Sequence, residues 1–508
     1  MTTLLERNAN FITSPRGIAV FIAATLILLA TIRTSLFPGI GGDDGEQLVF
    51  AQAFSWGYQI RNPPLVTWLL IAVQVGLGPT VASIVVLRGL VLGCIFLLTY
   101  LITDQLCRDR RLAALATGSL LIIFYLGWKV IHGFTHTAAV TAFYLLALYL
   151  TLRIWEAPSR PLLTALGFTL GLGLLAKYIF LLFAIALILA ALSIPSLRVR
   201  IISPWLFVGF AISLLFVIPQ GQWLMAHVPD NHLVRGEGNL SLLENLSRTG
   251  NSIFRLLIGV IGFLLPLWFF IAVIFWPALR DPPALDESAA ERIRLFSRLY
   301  AVLVALAVIT IIIVQSDRPR SHYMFILVPL VPIFFFRYGL AFQTIQIQRY
   351  AAVISTASVV LIGSLIGKFF IEPLVCHHCE DHIPYDDFAQ QLRETGFKGG
   401  TIFAYFQYDP LAGNLKVRFP DSRVVSAKHP NVIAPLKHPS AQCLLIWPLV
   451  GVPEPNTATI RTGNESPLKL GLPQSTPWRR LTSTLLPYRD RRHELGYILL
   501  ENGAGECR

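Results

Sequence analysis

Long apolar stretches separated by short polar breaks recur from residue 17 to residue 371 of the 508-residue chain. Each is long enough, or nearly so, for a helix to cross the roughly 30 Å hydrocarbon core of a bilayer. The pattern predicts eleven spans, near 17–37, 79–102, 112–128, 137–155, 162–176, 179–195, 203–224, 253–277, 299–315, 322–337 and 350–371. Residues 64–78 are also apolar, but short and glycine-bounded, as suits a segment that lies in the interface or dips in and out. After residue 371 the pattern changes. A helix-like stretch, Tyr385 to Thr395, precedes Gly396. Strand-like runs follow at Thr401–Phe406, Arg423–Val425, Cys443–Trp447 and Gly496–Leu499, with a short helix expected between Asp409 and Phe419. The expected fold class is therefore mainly α: a polytopic membrane protein of about 11 transmembrane helices with a small C-terminal α/β domain. Residues 1–371 form the membrane domain, with a first outer loop at 38–63, and residues 372–508 form the second domain.

Composition agrees with this pattern. The chain is 54% hydrophobic and 14% charged, against roughly 25% charged in a soluble domain, and its mean hydropathy is +0.62. Too little charge is present to coat soluble domains of this size, so an ordinary cytosolic enzyme, a disordered chain and a disulfide-stapled mini-protein are excluded. The net charge of +12 sits almost wholly in the apolar part, because residues 372–508 carry 15 basic and 14 acidic residues. Positive charge so placed speaks for topology and phosphate chemistry rather than for nucleic acid. Arg7 and Arg16 precede the first span and favour a cytoplasmic N-terminus. Alternation then puts Arg108, Arg110, Arg111, Arg198, Arg200, Arg280, Arg292, Arg294 and Arg298 inside, and the C-terminal domain outside with the loops 38–63, 129–136, 225–252 and 316–321. The first apolar run lacks a small-residue cleavage site and reads as a span rather than a signal peptide.

Chemistry concentrates in the first outer loop. Asp43, Asp44 and Glu46 follow a glycine pair at the expected membrane surface, and Tyr58, Arg61, Asn62, Pro63 and Pro64 close the loop. Crowded carboxylates can act as a general base or hold a divalent cation; they can equally be a solvated turn that caps a helix. Lys177 interrupts an apolar stretch between two short spans, a costly position without an anion nearby. Lys129, His132 and His136 fall in the second outer loop, and Arg318, Arg320, His322 and Tyr323 in or beside a later one. Outer-face bases are not explained by the positive-inside preference. They suit a lipid phosphate, or simply snorkel to headgroups. The histidines, taken alone, suit structural roles. Arg88 is the one charge well inside a predicted span. Cys376-His377-His378-Cys379 is open to three readings: a disulfide in an oxidising compartment, an incomplete zinc site or a redox pair. No phosphate-binding P-loop, dinucleotide fingerprint or metalloprotease helix appears.

These pieces, in this order, resemble the GT-C type of membrane glycosyltransferase. The nearest resemblance is to glycosyltransferase family 39, related to protein mannosyltransferases, lipid A aminoarabinose transferase and rhizobial galacturonosyltransferases. The matching residues are Asp43-Asp44-Gly45-Glu46, Trp56-Gly57-Tyr58, Asn62-Pro63-Pro64-Leu65 with Trp68, Gly171 to Tyr178 and Arg318 to Tyr323. In the tail they are Cys376-x-x-Cys379, Pro384-Tyr385, Gly400-Thr401-Ile402, Ala412-Gly413-Asn414-Leu415 and Phe419-Pro420-Asp421. The resemblance implies a hexosyl- or pentosyltransferase that uses a polyprenyl-phosphate sugar donor. Its acceptor would be a glycolipid, polysaccharide or protein at the periplasmic face of a bacterial inner membrane, and its surroundings membrane lipids. It implies a leading Asp as base, at Asp43 with Asp44 as the alternative and Glu46 beside them. Lys177, Arg61, Arg318 and Arg320 would then face the donor phosphate, with Tyr58, Asn62, Lys129, His132, His136, Tyr178, His322 and Tyr323 as substrate contacts. The chain departs from the family at Asp44, where Glu is usual, and at Asn62, where Lys or His is usual. It departs again at Thr135-His136-Thr137, where many relatives have Pro-Asp; this leaves a divalent metal open. The rival readings are a transporter or flippase of lipid-linked sugars, which would need internal symmetry and charged spans, and a non-catalytic membrane scaffold.

Overall fold

The structure is a computed structural model that describes residues 3–133, 135–227, 242–314, 321–376, 379–405, 410–429, 432–435, 442–449, 477–488 and 490–501. Among these residues eight helices are long and apolar enough to cross a membrane, and ten if each of two sharply bent pairs is one span. The bent pairs are Arg110–Ile122 with Phe124–His132, at 75°, and Phe180–Ser193 with Pro195–Ile201, at 115°. Pro195 opens the second half of the latter pair, and a proline that cannot continue the preceding helix is a ready place for such a corner. The helix Arg160–Ala176, at 17 residues, answers the one remaining predicted span. Leu65–Leu77 is a 13-residue apolar helix, too short to cross, as its glycine boundaries imply.

The chain divides into two compact units. The first comprises Met1–Leu26, Ile60–Val66 and Leu90–Leu361 and is helical. Thr3 and Glu6 form a reciprocal capping box that starts the helix Leu4–Ile12. Lipid tails offer no hydrophobic drive for helices to associate, so close backbone approach must supply the contact. On Arg160–Ala176, Gly167 lies against Leu206 and Phe210 and Gly171 against Ser213, while Gly209 on Pro204–His227 lies against Thr164 and Phe168. A Cβ at Gly167 would run into the Leu206 carbonyl, and one at Gly209 into that of Thr164. Buried hydroxyl pairs, Ser119 with Tyr350 and Thr25 with Ser358, both at 2.8 Å, add polar ties.

The second unit comprises Ile27–Gln59, Thr67–Gly89 and Ile362–Arg508. Its sheet has five strands: β1 Thr401–Ala404, β2 Arg423–Ser426, β3 Cys443–Pro448, β4 Arg479–Thr484 and β5 Arg492–Leu500, in spatial order β2-β1-β3-β5-β4. The first three are parallel and β5 is antiparallel to both β3 and β4. Strand β4, Arg-Arg-Leu-Thr-Ser-Thr, is too polar to announce itself; it is an edge strand, where one face stays wet. Alternate side chains fill two layers. Ile402, Val424, Leu444 and Ile446 pack under the helices Tyr385–Glu394 and Pro410–Arg418, while Phe403, Val425, Leu445 and Trp447 form the other layer. Val49, from the loop 38–63, is buried in the helix-covered layer.

Candidate active site

The carboxylates of the loop 38–63 lie on a short helix, Gly42–Phe50, whose N-cap is the extended residue Gly41. Acidic residues in a first turn are favoured by the helix dipole, which suits Asp43 and Asp44. The helical twist then sends the two neighbouring aspartates about 100° apart. Asp43 is exposed. Asp44 turns inward and pairs through both oxygens with Arg88, with 7% of the Asp side chain and 4% of the Arg side chain accessible. Arg88, the charge inside a predicted span, thus has a carboxylate counter-ion, which offsets the cost of burying it. Glu46, one turn on from Asp43, is also buried. Its Oε1 lies 2.8 Å from His429 Nε2 and accepts from Lys428 Nζ at 3.0 Å, and its Oε2 accepts from Gln59 Nε2 at 2.9 Å. Burial alone would lift the Glu46 carboxyl, but the hydrogen bond and charge of His429, joined by Lys428, outweigh it and hold the group below its ordinary 4.5.

The rest of the loop is pinned by its own side chains. The Tyr58 hydroxyl donates to the Ala53 carbonyl at 2.8 Å and accepts from Ser55 N at 2.9 Å. Burial, only partly opposed by the Ser55 bond, pushes this phenol up to about 12. Its ring stacks on Phe50, whose edge meets His429 at 4.8 Å. Thr67 donates to Gln47 Oε1 at 2.6 Å, and Trp68 Nε1 to the Ser55 carbonyl at 2.8 Å.

Lys177 lies in the first unit, where it ends the helix Arg160–Ala176 in an extended conformation. Its Nζ donates to Thr137 Oγ1 at 2.7 Å and stands 5.7 Å from the centre of the Tyr323 ring. Tyr178 accepts from Gln220 Nε2 at 2.8 Å. His136 is buried in the first turn of Thr135–Glu156. His132 Nδ1 lies 3.0 Å from the Trp128 carbonyl, and Lys129 Nζ lies 5.8 Å from the Phe124 ring centre. Arg61 is exposed and Asn62 half-buried. Arg318 and Arg320 lie outside the described residues, and His322 lies in the short turn Ser321–Leu327. Lys177 and Tyr323 are thus brought together. The three loop carboxylates take separate directions.

Cys376 and Cys379 form a disulfide, Cα to Cα 5.6 Å; both sulfurs are committed, which leaves none of them as zinc ligand. His377 and His378 lie outside the described residues. Among the described residues no cluster of three or more His, Cys, Asp or Glu side chains is arranged to hold a metal ion. The turn after the disulfide reaches the loop 38–63: Gly39 N donates to the Asp381 carbonyl at 3.0 Å and Gly42 N to Glu380 Oε2 at 3.2 Å. Asp381 also takes Arg33 at 2.9 Å and Lys368 at 2.6 Å. Lys428, His429 and Gln59 carry no local sequence signal, since their roles arise only where distant segments meet. For Asn414 and Gly413 the signal is the run Ala412-Gly413-Asn414-Leu415.

Residues 61–223 match the family described as dolichyl-phosphate-mannose-protein mannosyltransferase. The chain is 26% identical over 437 residues to the lipopolysaccharide core galacturonosyltransferase RgtB of Rhizobium johnstonii, covering 84% of this chain and 86% of the relative. It is 23% identical to RgtA of the same organism, covering 84% and 85%. Its fold matches crystal structures of ArnT from Cupriavidus metallidurans. The match to the form bound to undecaprenyl phosphate has a TM-score of 0.61 at 14% identity, covering 95% of this chain and 98% of that one. The apo form gives 0.59. The chain has the fold of the GT-C membrane glycosyltransferases. In this fold, then, the expected fold class and multi-span character hold, and the small C-terminal domain carries one strand beyond those legible in its sequence.

Proposed function

We propose that this glycosyltransferase moves a galacturonosyl or similar sugar from a polyprenyl-phosphate carrier to a lipopolysaccharide-core-type acceptor, at the periplasmic face of a bacterial inner membrane. Asp43 is the base. It removes the proton from the acceptor hydroxyl as that oxygen attacks the anomeric carbon; the new C–O bond forms while the bond to the carrier phosphate breaks, with inversion. Lys177, aided by Arg61 and the Arg318/Arg320 loop, neutralises the departing phosphate. Phosphate leaves readily, so the protein's main work is to position the reactants and balance charge. The sugar and acceptor follow the named activities of the two Rhizobium relatives, and the carrier follows the lipid bound in the matched fold.

The observation that carries the choice of base is the division of labour on the helix Gly42–Phe50. Asp44 is buried against Arg88 and Glu46 against His429 and Lys428, whereas Asp43 is exposed and open to an approaching acceptor. The test uses membranes supplied with polyprenyl-phosphate galacturonic acid and core glycolipid. Asp43→Asn should lower transfer by about 10²-fold or more while the purified protein melts as the parent does. Transfer at the parental rate would remove Asp43 from the reaction.

A further inference from the structure

The segment bearing Asp43 is gripped at both ends by side-chain amides that bond backbone as a neighbouring strand would. Ahead of the helix Gly42–Phe50, the fully buried Asn414 accepts from Ile40 N through Oδ1 at 3.1 Å and donates to the Ile40 carbonyl through Nδ2 at 2.9 Å. Behind it, Gln52 repeats the arrangement in reverse: its Nε2 donates to the Val424 carbonyl at 2.8 Å, and its Oε1 accepts from Val424 N at 2.9 Å. Between the two grips Gly413 faces Gly45 so closely that a Cβ at 413 would strike the Gly45 backbone. Arg418 also donates to the Pro38 carbonyl at 2.6 Å. Two-bond amide contacts fix orientation as well as distance, and buried polar pairs of this kind are costly to leave unmade.

We propose that the C-terminal α/β domain is the frame that positions the catalytic loop, with Asn414 and Gln52 as paired positioning residues that set where the Asp43 carboxylate stands. The proposal rests on the reading of Asp43 as base. Neither amide touches substrate; each acts through the backbone of the loop or of β2. Losing one grip frees one end of a nine-residue helix, and a shift of about 1 Å in a reacting group costs on the order of 10²-fold in rate.

The test compares the full-length enzyme in nanodiscs with its Asn414→Ala, Gln52→Ala and Asp43→Asn variants. Steady-state transfer is measured together with hydrogen exchange of the peptides covering 38–52 and 443–448. Asn414→Ala should lower kcat by on the order of 10²-fold and Gln52→Ala by about tenfold, with the KM for the lipid donor unchanged. Exchange should rise in 38–52 and stay at the parental level in 443–448. A variant that merely unfolds the domain would raise exchange in both peptides. Gln52 is only half-buried, so its variant keeps the test valid should Asn414→Ala fail to fold. Parental kcat and parental exchange in 38–52 for Gln52→Ala, with Asp43→Asn inactive, would overturn the positioning role. An active Asp43→Asn would instead overturn the assignment of the base, whatever the exchange of the loop shows.

Discussion

The pair Asp44–Arg88 allows the two neighbouring aspartates to be told apart by energy. Both side chains are at least nine-tenths inaccessible, and removing one partner of a buried ion pair costs about 3–5 kcal/mol because the other charge stays buried and uncompensated. That is a large share of the roughly 5–15 kcal/mol by which a domain is stable. Asp44→Leu and Arg88→Met should therefore each lose about 3–5 kcal/mol, while the double variant, apolar at both positions, should return to within about 1 kcal/mol of the parent. The assay is urea unfolding of the purified protein in detergent, with sugar transfer measured on the same preparations. Both single variants should transfer poorly. The double variant should recover much of the parental rate, since Asn414, Gln52 and Glu46 still hold the helix and Asp43 is intact. A double variant that regains stability but transfers nothing would show that Asp44 acts on the substrate. A cost below about 1 kcal/mol for Asp44→Leu would refute the buried-pair energetics themselves.

Two further outcomes follow from the same geometry. Lys177→Met should lower transfer by about 10²–10³-fold, whereas Lys177→Arg should keep part of it; a Met variant that turns over as the parent does would relieve Lys177 of the phosphate role. Glu46 is held below its ordinary pKa by His429 and Lys428. Its contribution to stability is therefore fully present above the ordinary value of 4.5 and is lost as pH falls through the lowered folded value. Acid unfolding curves of Glu46→Gln should be flatter than the parent's in that window, and superimposable curves would count against the pairing.

Most of the membrane architecture is legible in the chain because the bilayer imposes a local rule. Each span must satisfy its own backbone and present apolar side chains along its length, so a window of some twenty residues carries the information. All eleven predicted spans correspond to helices, with two broken and one short. The breaks came from Pro195 and the corner at Ile123, details too local to change a hydropathy count. In the C-terminal domain the apolar parallel strands were visible for the same reason, being buried on both faces. The polar edge strand β4 was not, because nothing in Arg-Arg-Leu-Thr-Ser-Thr distinguishes it from a loop.

The candidate site divides in the same way. That Asp43, Asp44 and Glu46 share one short segment, that Lys177 interrupts an apolar run and that Arg88 lies within a span are facts of order along the chain. Sequence also supplied the resemblance through which those residues acquired roles. Which acid faces outward was decided only in three dimensions, since adjacent residues on a helix point about 100° apart and each direction meets a different partner. Arg88 comes from the second span, His429 and Lys428 from beyond β2, and Asn414 from a helix more than 370 residues away from Ile40. Such partners are brought together by burial of the sheet and close glycine packing. Their energy depends on desolvation, which no local spacing encodes. The sequence thus determined the membrane class and the chemical inventory, and the tertiary structure determined which carboxylate remains exposed and what holds it in place.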